Sequence, residues 1–142
     1  MAESFHTLRR IEFPAAIPSL PDLLASLSEC ARDAGFSEHK IGSIELVVEE
    51  AIVNIIKYSY KEAEGTVTVI CSVDNDRKSI RIEIIDSGTP FNPLTKDTPD
   101  TTSGIEDRAI GGLGIFFIKK MTDNAEYRRE DDRNILSITI EK

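Results

Sequence analysis

Apolar residues along this chain change their spacing from segment to segment, and each change marks the border of an element. In Ser4 to Phe13, Phe5, Ile11 and Phe13 stand at even offsets among charged neighbours, which predicts a strand at a sheet edge. After a connector, Pro14 to Pro21, the residues Leu20, Leu23, Leu24, Leu27, Ala31 and Ala34 recur at three and four and predict a helix. Ser19 and Asp22 have the spacing of its N-cap and N3 acid, and Gly35 can end it in the left-handed region. Ser37 can cap a second helix running to about Tyr60.

From Thr66 the period becomes two. Val67, Val69, Cys71 and Val73, a turn-rich Asp74 to Lys78, and then Ile80, Ile82 and Ile84 predict a hairpin. Asn92 to Gly111 shows no sustained period and reads as a long loop of the kind that serves as a lid or binding segment. It ends in Gly111, Gly112, Leu113 and Gly114, which open a short apolar helix through Ile115 to Met121. Ala125 to Arg129 and Ile135 to Ile140 predict two closing strands, joined by a charged turn over Glu130 to Asn134.

Composition narrows the class. With 142 residues, 40% hydrophobic and 30% charged, the chain reads as one globular domain, 1–142. A net charge of -8 argues against nucleic-acid binding, which needs basic patches. No apolar run is long enough to span a bilayer, so a cytoplasmic protein without membrane contact is expected. Cys30 and Cys71, far apart in apolar patterns, read as two small buried hydrophobes, and His6 and His39 are too isolated for a zinc site.

Three stretches carry candidate chemistry. In the second helix Glu50, Asn54, Lys57 and Lys61 fall at i, i+4, i+7 and i+11, a polar line beside the apolar band of Ile44, Val48, Ala51, Ile52, Ile55 and Ile56. Alone, that line is equally the polar edge of an amphipathic helix. In the hairpin, alternation puts Asp86 on the face of Ile80, Ile82 and Ile84, so a carboxylate is aimed at the core and needs hydrogen-bond donors, or caps the turn at Ser87 and Gly88. The glycines before the last helix offer backbone N–H groups and a positive helix end to an anion. A P-loop is absent, Gly112-Leu113-Gly114 lacks the rest of a dinucleotide fingerprint, and no nucleophile elbow occurs.

Taken in order, Glu50 with Asn54, the run Asp86-Ser87-Gly88-Thr89-Pro90, a loop, and Gly112-Leu113-Gly114 resemble the GHKL ATPase superfamily. Pro90 and the run Gly-Gly-Leu-Gly-Ile-Phe-Phe-Ile-Lys-Lys resemble most closely its bacterial anti-sigma-factor serine/threonine kinases. The resemblance implies an α+β two-layer sandwich, the Bergerat-type ATP-binding fold, with a mixed, mostly antiparallel sheet and helices on one face. It implies ATP and Mg2+ as cofactors, with Asn54 ligating magnesium and Glu50 as general base on the attacking hydroxyl. Lys57 and the amides of Gly112, Leu113 and Gly114 would meet the phosphates. Asp86 would accept from the adenine amino group, with Gly88 letting the base approach. Arg108 is a further loop cation that would reach the phosphates, at a spacing from Gly112 that the resemblance does not assign.

The implied activity is phosphorylation of a STAS-domain antagonist, alternating with capture of a sigma factor or similar target, in a homodimer with the first strand as candidate edge. A nucleotide-gated sequestering module with little phosphotransfer is the rival from the binding class. The catalytic domain of a sensor histidine kinase fits less well, since no helical hairpin with a phosphoacceptor His precedes the domain.

Overall fold

The two periodicities fold into two layers. A computed structural model describes residues 4–61, 63–95 and 118–142. The period-two segments form β1 (Phe5–Pro14), β2 (Thr66–Asp74), β3 (Ser79–Asp86), β4 (Asn124–Glu130) and β5 (Arg133–Glu141), in one sheet of order β1-β2-β3-β5-β4. The helical-period segments form α1 (Leu20–Asp33) and α2 (Glu38–Asn54). Val67, Val69, Cys71, Val73, Ile80, Ile82, Ile84, Leu136, Ile138 and Ile140 supply the inner face of the sheet. Against them pack Leu23, Leu27 and Ala31 of α1 and Ile44, Val48, Ala51 and Ile52 of α2. The α+β sandwich is as expected, and each described pairing is antiparallel, with no parallel pair among the described strands.

Helix ends follow their chemistry, with one exception. Ser37 sits in extended backbone (φ -71, ψ 158) and its hydroxyl accepts from Lys40 N–H, the N-cap expected for α2. Gly35 takes φ +91, and the N–H of Phe36 folds back to the carbonyl of Ala31, closing α1 as a left-handed cap. Ser19, by contrast, makes no capping bond. It is the last residue of a 3-10 turn, Ile17–Ser19, which holds it at φ -79, ψ -17, away from the extended conformation that a side-chain cap requires.

The first strand also departs from strict alternation. Its register against β2 shifts between Thr7 and Arg9, leaving Leu8 outside the pairing. On one side of this bulge Ile11 and Phe13 face Val69 and Val67 across the sheet; on the other, Phe5 faces Asp74. The extra residue thus turns Phe5 to the outer face, where its ring lies 4.2 Å from the Arg81 guanidinium. β1 is an edge strand, as expected. Among the described residues no helix is long and apolar enough to cross a membrane.

Candidate functional site

The polar line of α2 lies at its C-terminal end. Asn54 is 1% exposed. Its Nδ2 donates to the Glu50 carbonyl at 2.7 Å, whereas its Oδ1 is buried with no partner. Leaving such an acceptor unsatisfied costs on the order of 1–3 kcal/mol. One turn earlier, Glu50 is half-buried, and burial, with the Glu49 carboxylate beside it, raises its carboxyl above the ordinary range. An orphaned oxygen and a carboxylate of raised pKa therefore share adjacent turns of one helix.

Beyond Asn54 the α-helix does not continue. Residues Ile55–Ser59 form a π turn, closed by Tyr60 N–H to the Ile55 carbonyl at 3.0 Å. The wider turn ends the α-helical phase on which the polar line was drawn. Lys57 lies within it, with Nζ 5.5 Å from the Tyr58 ring centroid, and Lys61 falls past the helix at φ 51, exposed. The same turn carries Ser59 and Tyr58 to the sheet: Tyr58 meets Phe91 at 5.3 Å, and Thr89 N–H donates to the Ser59 carbonyl at 2.9 Å.

There Asp86 meets its donors. It is 3% exposed, on the inner face as its alternation demands. Oδ1 accepts from the Ser59 hydroxyl, from Gly88 N–H at 2.9 Å and from Asn134 Nδ2 at 2.9 Å. Both sequence alternatives are thus realised: the carboxylate caps its own turn and receives donors from two other elements. Asn134 Nδ2 also reaches Ser59 Oγ at 3.0 Å and the Thr89 carbonyl at 2.8 Å. Its Oδ1 accepts from Phe91 N–H at 3.1 Å and Tyr127 O–H at 2.5 Å. Gly88 is required by packing, since a Cβ there would stand 2.3 Å from Ser59 Oγ and 2.5 Å from the Ser59 carbonyl oxygen.

Asn134 does not belong to the closing turn, where the charge pattern placed it. The turn is Asp131 and Asp132, at φ 51 and 62, a pair of left-handed residues suited to a tight hairpin. Asn134 is already in β5, opposite Asp86. The signal was present: extending the alternation of Leu136, Ile138 and Ile140 back to 134 puts a polar residue on the buried face, as for Asp86. Ser59 had no such signal, because a π turn is invisible to a 3.6-residue period.

Between α2 and the sheet, Ala51, Ile55, Ile84 and Leu136 line a small apolar cleft under Phe91, with Asp86 and Asn134 as its polar groups. At about 10 Å³ it has room for roughly one water. The structure brings together Glu50 with Asn54, and Asp86 with Gly88. Gly112, Leu113, Gly114 and Arg108 lie outside the described residues, as does most of the predicted loop.

The profile of the histidine kinase-like ATPase domain matches residues 13–140, nearly the whole chain. The chain belongs to this family. A serine-protein kinase RsbW from Listeria monocytogenes serovar 1/2a is 33% identical to this ATPase domain over 119 residues, covering 78% of the chain and 74% of the relative. A serine-protein kinase RsbW from Bacillus mycoides is 24% identical over 140 residues, covering 96% and 86%. Among solved structures, the RsbU and RsbW domains of Rv1364c from Mycobacterium tuberculosis share the fold, with a TM-score of 0.63 at 15% identity. That alignment covers 94% of the ATPase domain and 32% of the larger protein, so the chain spans about a third of its length.

Proposed function

We propose that this ATPase domain is an ATP-dependent protein serine/threonine kinase of the anti-sigma-factor type. It would phosphorylate a STAS-domain antagonist and, in its other state, hold a sigma factor or similar target. The observation that carries the chemistry is the pairing of Glu50 and Asn54 on adjacent turns of α2. The relatives named serine-protein kinase RsbW support the protein substrate class.

A buried amide oxygen without a partner fits a hard cation that shares its shell with phosphate oxygens. Asn54 Oδ1 would hold magnesium, which when bound neutralises triphosphate charge. Glu50 would take the proton of the attacking hydroxyl, a task suited to a carboxylate whose basicity burial has raised. Asp86 would offer its second oxygen to the adenine amino group while Oδ1 stays held by Ser59, Gly88 and Asn134. Lys57 and the amides of Gly112, Leu113 and Gly114 would meet the phosphates. A purine is larger than the cleft, so Phe91 and Pro93, which line it, would move aside on binding. A homodimer and a cytoplasmic location complete the reading.

Labelled ATP, magnesium and the cognate STAS protein give the test: label should appear on a serine or threonine of the antagonist, and no transfer with Glu50 intact refutes the kinase. Asp86→Asn keeps an acceptor for the three protein donors but turns a donor toward the base. It should stay folded and lose ATP affinity by about 100-fold, some 2–3 kcal/mol. The narrowness of the cleft favours a second reading, a sequestering module with little turnover. In that case Glu50→Gln would leave regulation in cells intact while Asp86→Asn abolishes it.

A further inference from the structure

The two cysteines, 41 positions apart, meet inside the core: Cys30 Sγ of α1 and Cys71 Sγ of β2 are 3.2 Å apart. Both are free thiols, 4% and 0% exposed, as the sequence pattern led us to expect of each alone. Their juxtaposition has no part in the proposed phosphotransfer. On β1 the residue opposite Cys71 is Arg9, whose guanidinium is held over α1 by the Ser26 carbonyl at 3.0 Å and the Ser26 hydroxyl at 2.8 Å. The hydrogen bond from the Cys71 thiol, with the Arg9 charge, favours the thiolate of Cys30, outweighing its burial. The same contact and burial hold the Cys71 proton in place.

We propose that Cys30 and Cys71 form an oxidative modification site, a thiol pair that hydrogen peroxide converts into an internal disulfide joining α1 to β2. A disulfide needs about 2 Å between sulfurs, so side-chain movement of roughly 1 Å closes the pair. In the first step the Cys30 thiolate attacks the O–O bond, gaining one oxygen as sulfenic acid, and the leaving hydroxide takes up a proton to become water. In the second, Cys71 sulfur attacks Cys30 sulfur, the S–OH bond breaks, and the hydroxyl leaves with the Cys71 proton as a second water. One peroxide is thereby reduced to water for each disulfide formed. The closed loop contains all of α2 and the π turn, so oxidation pins the layer that carries Glu50 and Asn54 to the sheet.

The test uses the full chain, which has only these two cysteines. After hydrogen peroxide and a denaturing quench with an alkylating agent, intact mass should show a monomer two hydrogens lighter and unalkylated. A phosphine should restore two alkylatable thiols. The oxidised chain should melt about 10 °C higher, from closure of a loop of this length. Cys71→Ala removes both the resolving thiol and the hydrogen bond that favours the thiolate, so its Cys30 should form a dimedone-reactive sulfenic acid more slowly than the wild type forms its disulfide, whereas Cys30→Ala should leave Cys71 alkylatable. Two alkylated thiols after peroxide, Cys30 carrying oxygens beside an alkylated Cys71, or a disulfide-linked dimer would each overturn the proposal, and all three are read on the unmutated chain.

Discussion

Replacing Asn134 probes the network that holds Asp86. Asn134→Ala removes a donor from a buried carboxylate at 2.9 Å and from the Thr89 carbonyl at 2.8 Å, together with the acceptor for Phe91 N–H and Tyr127 O–H. A hydrogen bond to a charged group is worth about 1.5–3 kcal/mol and a neutral one about 1 kcal/mol. Water entering the vacated space recovers part of the sum, leaving an expected loss of about 3–5 kcal/mol. At a urea slope near 2 kcal/mol/M, the unfolding midpoint should fall by roughly 2 M with the slope unchanged. Asn134→Asp separates charge from shape, because it keeps the acceptor for Tyr127 and Phe91 but sets a second carboxylate against Asp86. It should be the less stable variant, because two like charges are then buried side by side. A midpoint shift below about 0.5 M for Asn134→Ala, or an Asn134→Asp variant as stable as the wild type, would refute the view that Asn134 stabilises a buried charge by hydrogen bonding.

Glu50 and Gly88 give two further expected outcomes. Because the folded state raises the Glu50 pKa, folding takes up a proton between the ordinary value of 4.5 and the raised one, and the wild type loses stability as pH rises through that window. Glu50→Gln should therefore melt at or above the wild type at pH 7, with the difference gone below pH 4, while phosphotransfer is lost; a lower melting point at pH 7 contradicts this. Gly88→Ala should destabilise the fold by about 2 kcal/mol through overpacking against Ser59. Adding Ser59→Gly should not rescue it, because the backbone carbonyl of residue 59 remains in the way and the hydroxyl that donates to Asp86 is lost; rescue in urea melts would disprove that account.

Alternation was legible wherever a strand faces a single core, and it carried Asp86 to the right face before any donor was known. The same rule failed at Phe5, because a bulge adds one residue without altering composition. The glycine at 35 and the cap at 37 were readable because each relies on its own conformation or side chain. Ser19 was misread since capping depends on the backbone that precedes it, here a 3-10 turn. Within the site, Glu50 and Asn54 stood out as polar residues among branched aliphatics. Ser59 and Asn134 did not, as their partners lie 27 and 48 positions away in sequence. The contact between Cys30 and Cys71 was hidden for the same reason: it exists only once α1 is laid across the sheet.

The turn over Ile55–Ser59 holds one residue more than an α-helix would use for the same rise. Winding the same residues as regular α-helix would rotate Ser59 and its neighbours by about 100° about the helix axis. Local helix energy would improve, yet the hydroxyl would no longer point at the aspartate. The wide turn, rather than the helix that precedes it, therefore sets where the Ser59 hydroxyl points.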